Sequence, residues 1–259
     1  MSTTFNRSEK KYLPGSSRYH LTLTTVKKFV PVYMFQENQP VTNVHTTYLD
    51  NDTFDTYYDW LNRKPIRYKV RYRRYGYDGE FSDDAWIELK VKNHSISQKK
   101  RFRIRRQHVD KFTSGEDILK EVIKENKKTR DLVDTYARIQ GYIASNRLKP
   151  VLTIEYKRIS FQPCEDSDVR ITLDKQIVMR NLLTGQTAKD KCVVLETKVS
   201  GPRTPLWLND LMEELGATRN VRFSKFALGM QQLFFQKQPC FIVEPAEVSA
   251  PGKVSSGPA

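Results

Sequence analysis

Between residues 67 and 76 the chain reads RYKVRYRRYG, with a cation at every second position: Arg67, Lys69, Arg71 and Arg73. Strand side chains alternate between the two faces of a sheet. Read as β structure, the stretch lines four positive charges along one face and sets Tyr68, Val70 and Tyr72 on the other. The pattern recurs. WIELKVK places Glu88, Lys90 and Lys92 opposite Ile87, Leu89 and Val91, and KKRFRIRR places Lys99, Arg101, Arg103 and Arg105 opposite Phe102 and Ile104. In VLTIEYKR the polar row is Thr153, Glu155 and Lys157; in VRITLD it is Arg170, Thr172 and Asp174; in VVLETK it is Glu196 and Lys198. With the N-terminal SEKKYL, that makes about seven strands with a charged face.

Apolar residues three and four apart predict helices over 16–30, 50–63, much of 116–148, 205–215 and 223–235. Asp50 and Ser114 suit N-caps, Pro205 a helix start and Gly216 a helix end. The helices follow no βαβ rhythm, which predicts an α+β fold built on a large antiparallel sheet.

One solvated and one packed face would explain a single alternating strand. Here, however, neighbouring strands carry almost only Lys and Arg at their polar positions, and like charges directly opposite each other repel. A closed sheet with the charged faces lining a lumen and a phosphate chain between them resolves the conflict. The net charge of +14, from 44 Lys and Arg against 30 Asp and Glu, also calls for a polyanionic partner. Nucleic acid, an acidic membrane surface and a phosphorylated substrate all satisfy it.

Cys164, Cys192 and Cys240 are odd in number and widely spaced, against a disulfide framework or a zinc site. His20, His45, His94 and His108 have no ligand spacing, and no catalytic triad or Walker loop is present. No apolar run approaches the ~20 residues of a membrane span, and the N-terminus lacks a signal-peptide core, so a soluble cytoplasmic protein is expected. Residues 1–240 read as one domain, and 241–259, ending in EPAEVSAPGKVSSGPA, as a disordered tail.

In order along the chain, EKKYL, TTYLDNDTFDTYYDWL, KVRYRRYG, IELKVK, KKRF, PVLTIEYKR with VRITLD, VLETK and RFSKF resemble the VTC domain. This is the polyphosphate polymerase domain of the vacuolar transporter chaperone, within the triphosphate tunnel metalloenzyme superfamily. The resemblance implies an eight-stranded antiparallel β tunnel with a basic lumen, surrounded by helices. It also implies transfer of the γ-phosphoryl group of ATP to a growing polyphosphate chain, with manganese or magnesium as cofactor. ATP and inorganic polyphosphate are then the partners, and nucleic acid, whose bases need an open groove, is not.

The family's phosphate-holding residues match Lys11, Arg71, Arg73, Lys90, Lys99 and Arg101. Its metal-binding glutamate falls on Glu196, beside Lys198, and its Ser-Lys pair on Ser224 and Lys225. Lys69, Arg103 and Arg170 extend the row of substrate-binding cations. Two departures stand out. The triphosphatase signature Glu-x-Glu-x-Lys becomes RSEKK, with Arg7 replacing the first glutamate and Glu9 and Lys11 retained, which favours polymerase over inorganic triphosphatase. Thr153 stands where eukaryotic polymerases carry an arginine, so Lys157 or Arg158 is expected to cover that phosphate, and Glu155 to serve as a second metal ligand. Phosphoryl transfer asks mainly for positioning and charge stabilisation, which many fixed cations supply. A non-catalytic polyphosphate- or polyanion-binding module, or an inorganic triphosphatase of the same superfamily, is the alternative. Removal of Arg71 or Arg73 is expected to cut turnover and to relieve repulsion without loss of stability.

Overall fold

The computed structural model describes residues 8–94, 96–126, 129–164, 167–200, 203–217, 220–236 and 242–243. Arg7, Cys240 and most of the 241–259 tail lie outside them. The first half runs β1 (Ser8–Tyr12), α1 (Tyr19–Phe29), β2 (Val32–Tyr33), β3 (Val41–Asp50), α2 (Asp55–Leu61), β4 (Ile66–Tyr77), β5 (Glu80–Phe81), β6 (Asp84–Asn93) and β7 (Ile96–Arg105). It continues α3 (Val109–Ser114), α4 (Leu119–Glu125), α5 (Arg130–Ser145), β8 (Lys149–Phe161), β9 (Val169–Asn181), β10 (Thr187–Asp190) and β11 (Val194–Val199). It closes with α6 (Leu206–Glu214), β12 (Val221–Arg222), α7 (Lys225–Leu233) and β13 (Ile242–Val243). The β12–β13 pair takes in Ile242 and Val243, past the boundary drawn at 240.

Eight antiparallel strands form the main sheet in the order β1-β11-β9-β8-β3-β4-β6-β7, with β10, β2 and β5 as short additions. The sheet curls. Among the described residues no ladder joins β1 to β7, yet Glu9 on β1 and Lys90 on β6 meet at 3.0 Å, so side chains bridge the two walls.

Two cores cover the convex face. The apolar rows of β4, β6 and β7, including Val70, Leu89, Phe102 and Ile104, pack under α3, α4 and α5 through Phe112, Val122 and Ile139. Farther round, Phe161, Ile171, Leu173 and Leu195 pack under Val26 of α1 and Leu208 and Leu211 of α6. Each such fully buried side chain contributes about 1.5–3 kcal/mol.

A third core lies on the concave side. There α7 sets Phe226, Leu228 and Met230 against Tyr48, Ile154, Tyr156, Met179 and Val194, with Tyr57 of α2 beside them. The helix fills part of the lumen, and the strands beneath it turn apolar residues inward. This governs which residues of β8 reach the charged site.

Some local readings change. Residues 41–50 form the central strand β3, paired with β4 and β8, and α2 begins only at Asp55. Asp50 still serves that helix, its buried carboxylate accepting from the Thr56 and Tyr57 amides at 2.9 and 3.1 Å. Ser114 ends α3 rather than starting a helix, because Gly115 takes the left-handed conformation at φ 95°. Pro205 and Gly216 flank α6 as their chemistry suggests.

Candidate polyanion-binding lumen

Register places the concave side chains. On one wall β4 presents Lys69, Arg71 and Arg73, opposite Lys90, Glu88 and Trp86 of β6, which lie opposite Lys99, Arg101 and Arg103 of β7. Thr46 and Tyr48 of β3 sit against Arg73 and Arg71. On the other wall Lys11 pairs in register with Glu196, and Glu9 with Lys198; Arg158 of β8 faces Asp174 of β9. At the mouth of α7, Ser224 caps the helix by accepting from the Ala227 amide, and Lys225 enters the site.

These cations do not face one another bare, as the strand patterns suggested. Carboxylates are threaded between them. Glu88, 1% exposed, lies 2.7 Å from Arg71, 3.3 Å from Lys99 and 3.9 Å from Arg101. Asp174, fully buried, takes both Nε and Nη2 of Arg158, at 2.7 and 2.8 Å, and the Lys225 ammonium at 2.6 Å. Glu9 holds Lys11 and Lys90 at 3.1 and 3.0 Å, and Glu196 holds Lys198 at 2.5 Å.

Burial alone would push each carboxyl upward, but the neighbouring charges win. Arg71, Arg73 and Lys99 hold Glu88 well below the usual carboxylate range; Arg158 and Lys225 do the same for Asp174. Lys198, Lys11 and Arg158 outweigh burial and the opposing Glu9 to hold Glu196 at about 2. A depressed carboxyl stabilises the fold fully above its unfolded-state value and loses that contribution as pH falls through its folded-state value. For Glu196 the window runs from 4.5 down to about 2.

Lys69 is different. Among the described residues its ammonium has no carboxylate against it, only the Ser224 hydroxyl at 3.3 Å and the Phe226 and Tyr48 rings at 4.8 and 5.8 Å. Burial, then the charges of Lys90, Lys11, Arg71 and Arg67, hold it well below the ordinary lysine value. Lys90 and Lys99 are also lowered, chiefly by burial. An anion entering the lumen opposes those causes and draws protons onto the lysines. Tripolyphosphate binding at alkaline pH, where the ligand is fully ionised, should therefore take up protons. Calorimetry in two buffers of different ionisation enthalpy reads this directly, and Lys69→Met should reduce the uptake. Proton release on binding would contradict the electrostatics described here.

The structure gathers Lys11, Lys69, Arg71, Arg73, Lys90, Lys99, Arg101, Arg158, Glu196, Lys198, Ser224 and Lys225 around one space. Arg103 and Arg170 lie at its rim. Arg103 donates to Asp84 at 3.2 Å and to the Glu125 carbonyl at 2.6 Å; Arg170, exposed, donates to Gln162 at 2.8 Å. Lys157 and Glu155 are not in it. Because α7 draws Leu152, Ile154 and Tyr156 inward, the residues between them, Thr153, Glu155 and Lys157, face the convex side. Arg158 takes the inward place, and Thr153 removes no lumen contact.

Glu88 and Asp174, which the strand patterns did not single out as site residues, position much of the cationic wall. Tyr48 and Tyr75 join them: burial would raise both phenols, but the Arg71 and Arg73 charges lower Tyr48, and Arg73 lowers Tyr75. Arg73, 7% exposed, donates to Thr46 at 3.0 Å.

For a divalent ion, among the described residues no group of three or more His, Cys, Asp or Glu gathers as a cage. Glu9 does lie close enough to Glu196 to oppose its ionisation. Two such oxygen donors fit a largely hydrated magnesium or manganese ion that also takes phosphate oxygens. Glu155 has no part in this; it lies 3.6 Å from the His45 imidazole on the outer face.

An antiparallel sheet curled around a cationic lumen, with helices on its convex side, defines an α+β tunnel-type protein. The family model described as the VTC domain matches residues 6–234, and the chain belongs to that family. It is 25% identical to vacuolar transporter chaperone complex subunit 4 of Schizosaccharomyces pombe over 90% of this chain and 38% of that protein. The Trypanosoma brucei subunit 4 is 22% identical over 90% and 35%. The chain thus spans little more than a third of these relatives. Among solved structures, a putative adenylate cyclase from Bacillus halodurans aligns with TM-score 0.49 and 13% identity over 88% of this chain and 99% of its own.

Proposed function

We propose that the lumen binds a linear phosphate chain and that the protein transfers the γ-phosphoryl group of ATP onto polyphosphate. Lys69 carries the reading: a partly buried cation with no carboxylate partner among the described residues, set among further lysines whose charge burial disfavours, suits a site arranged for an anion. Arg71 and Arg73 suit bidentate phosphate contacts, while Lys11, Lys90, Lys99 and Lys225 act as point charges. Lys225 and Ser224 lie at the N-terminus of α7, whose free amides favour negative charge.

Each carboxylate in the wall holds its cations in place. Glu88 keeps the Arg71 guanidinium fixed, and Asp174 does so for Arg158 and Lys225, so little side-chain ordering remains to be done when phosphate arrives. Glu196, with Glu9 beside it, would hold manganese or magnesium, which supplies charge neutralisation at the phosphate oxygens. The cationic wall spreads the same stabilisation over the oxygens of the transferring group.

Incubation of the protein with ATP and manganese should yield polyphosphate, visible on a stained gel. Glu196→Gln should still bind polyphosphate, since the cations remain, but synthesis should fall on the order of a hundredfold. Wild-type synthesis by that variant would remove the metal role from Glu196. Binding without synthesis by the unaltered protein under either metal would leave a polyanion-binding module as the better reading.

A further inference from the structure

We propose that the convex face carries a second ligand site, a groove for a nucleoside di- or triphosphate, outside the lumen and independent of the reaction assigned to it. The sheet is left uncovered between its two helix layers, where a cavity of about 770 Å³ opens over β3, β8 and β9. That volume lies within the roughly 300–1,000 Å³ of small-molecule sites.

Its floor is an unusual row. Asn43, Lys157 and Lys175 are direct cross-strand neighbours, so two lysine side chains leave the sheet from adjacent positions. Lys189, opposite Val178, adds a third from β10. Like charges so placed repel unless an anion lies between them. None of the three makes an ion pair among the described residues; the Lys175 ammonium rests 3.9 Å above the Tyr19 ring. Of the nearby carboxylates, Asp190 is hydrogen-bonded elsewhere and Glu155 makes no ion pair with these lysines. Glu155 faces His45 at 3.6 Å, and Asp190 accepts from the Cys192 amide at 2.7 Å and from Gln232 at 2.8 Å.

The walls select the rest of the ligand. Tyr19, Phe81, Val178 and Val193 give the cavity an apolar, partly aromatic lining that a bare phosphate chain would not use. Asn43 and Gln176 supply amides of the kind that read base edges. Adjacent phosphates on the lysine row and a base against the apolar wall satisfy both halves.

Photolabelling of the full chain with 8-azido-ADP, followed by peptide mapping, tests this. The labelling is run without and with tripolyphosphate, which occupies the lumen. Label is expected on peptides carrying Tyr19, Phe81 or Val178, and should fall at least tenfold in a Lys157→Glu/Lys175→Glu variant whose melting temperature is unchanged. Should that variant melt lower, Lys157→Gln/Lys175→Gln replaces it with the same expected loss. No label at those peptides without tripolyphosphate, or label retained in the folded double variant, would each overturn the groove. None of these readings depends on whether the protein synthesises polyphosphate.

Discussion

Arg71→Ala should unfold at markedly lower urea concentration than the parent protein, a loss of about 3–5 kcal/mol, as well as losing turnover. Removing this side chain strips Glu88 of its nearest partner while leaving the carboxylate 1% exposed, with Lys99 and Arg101 at 3.3 and 3.9 Å. A buried carboxylate stripped of its hydrogen-bonded guanidinium and left only the two longer contacts costs more than the relieved repulsion among cations returns. This reverses the expectation from strand patterns alone, in which the arginine faced only other cations. Arg71→Met combined with Glu88→Gln should recover most of the stability, because both members of the pair are then gone. A single variant as stable as the parent would show that Glu88 does not depend on Arg71.

Asp174→Asn should have an effect of similar size, about 3 kcal/mol, with a signature of its own. The substitution leaves Arg158 and Lys225 beside each other without their shared anion, Lys225 being only 9% exposed. Tripolyphosphate can replace the missing charge. It should therefore stabilise the variant against urea more than it stabilises the parent at the same concentration, by linkage to a tighter site. Equal stabilisation of the two proteins would mean that the phosphates do not reach Arg158 and Lys225.

The sheet was legible in the sequence wherever the apolar side of a strand faces a covering helix from outside. β4, β6 and β7 obey that rule, and their cations fall on the concave side as read. β8 breaks it. The α7 helix occupies the lumen there, so apolar residues point both ways, and reading polar as inward sends Lys157 and Glu155 to the wrong face. No local pattern announces a helix inside the sheet. β3 was missed for a related reason: Thr46 and Thr47 are buried among neighbours on both sides, so its run lacks alternation. The Glu9–Lys90 pair across the lumen was hidden because it joins β1 to β6, far apart in the sheet. Glu88 and Asp174 had a local signal, each lying one strand over from its arginine, Arg71 and Arg158, in an alternating run.

The melting temperature of the protein with tripolyphosphate, with orthophosphate and with a duplex oligonucleotide, at equal charge concentration, measures directly whether the lumen is a linear phosphate-chain site. Tripolyphosphate should raise it far more than either of the others, because only a narrow chain can reach Lys69, Arg71 and Lys225 together. Equal stabilisation by the duplex, with a steep dependence on salt, would instead make this a general nucleic-acid-binding surface.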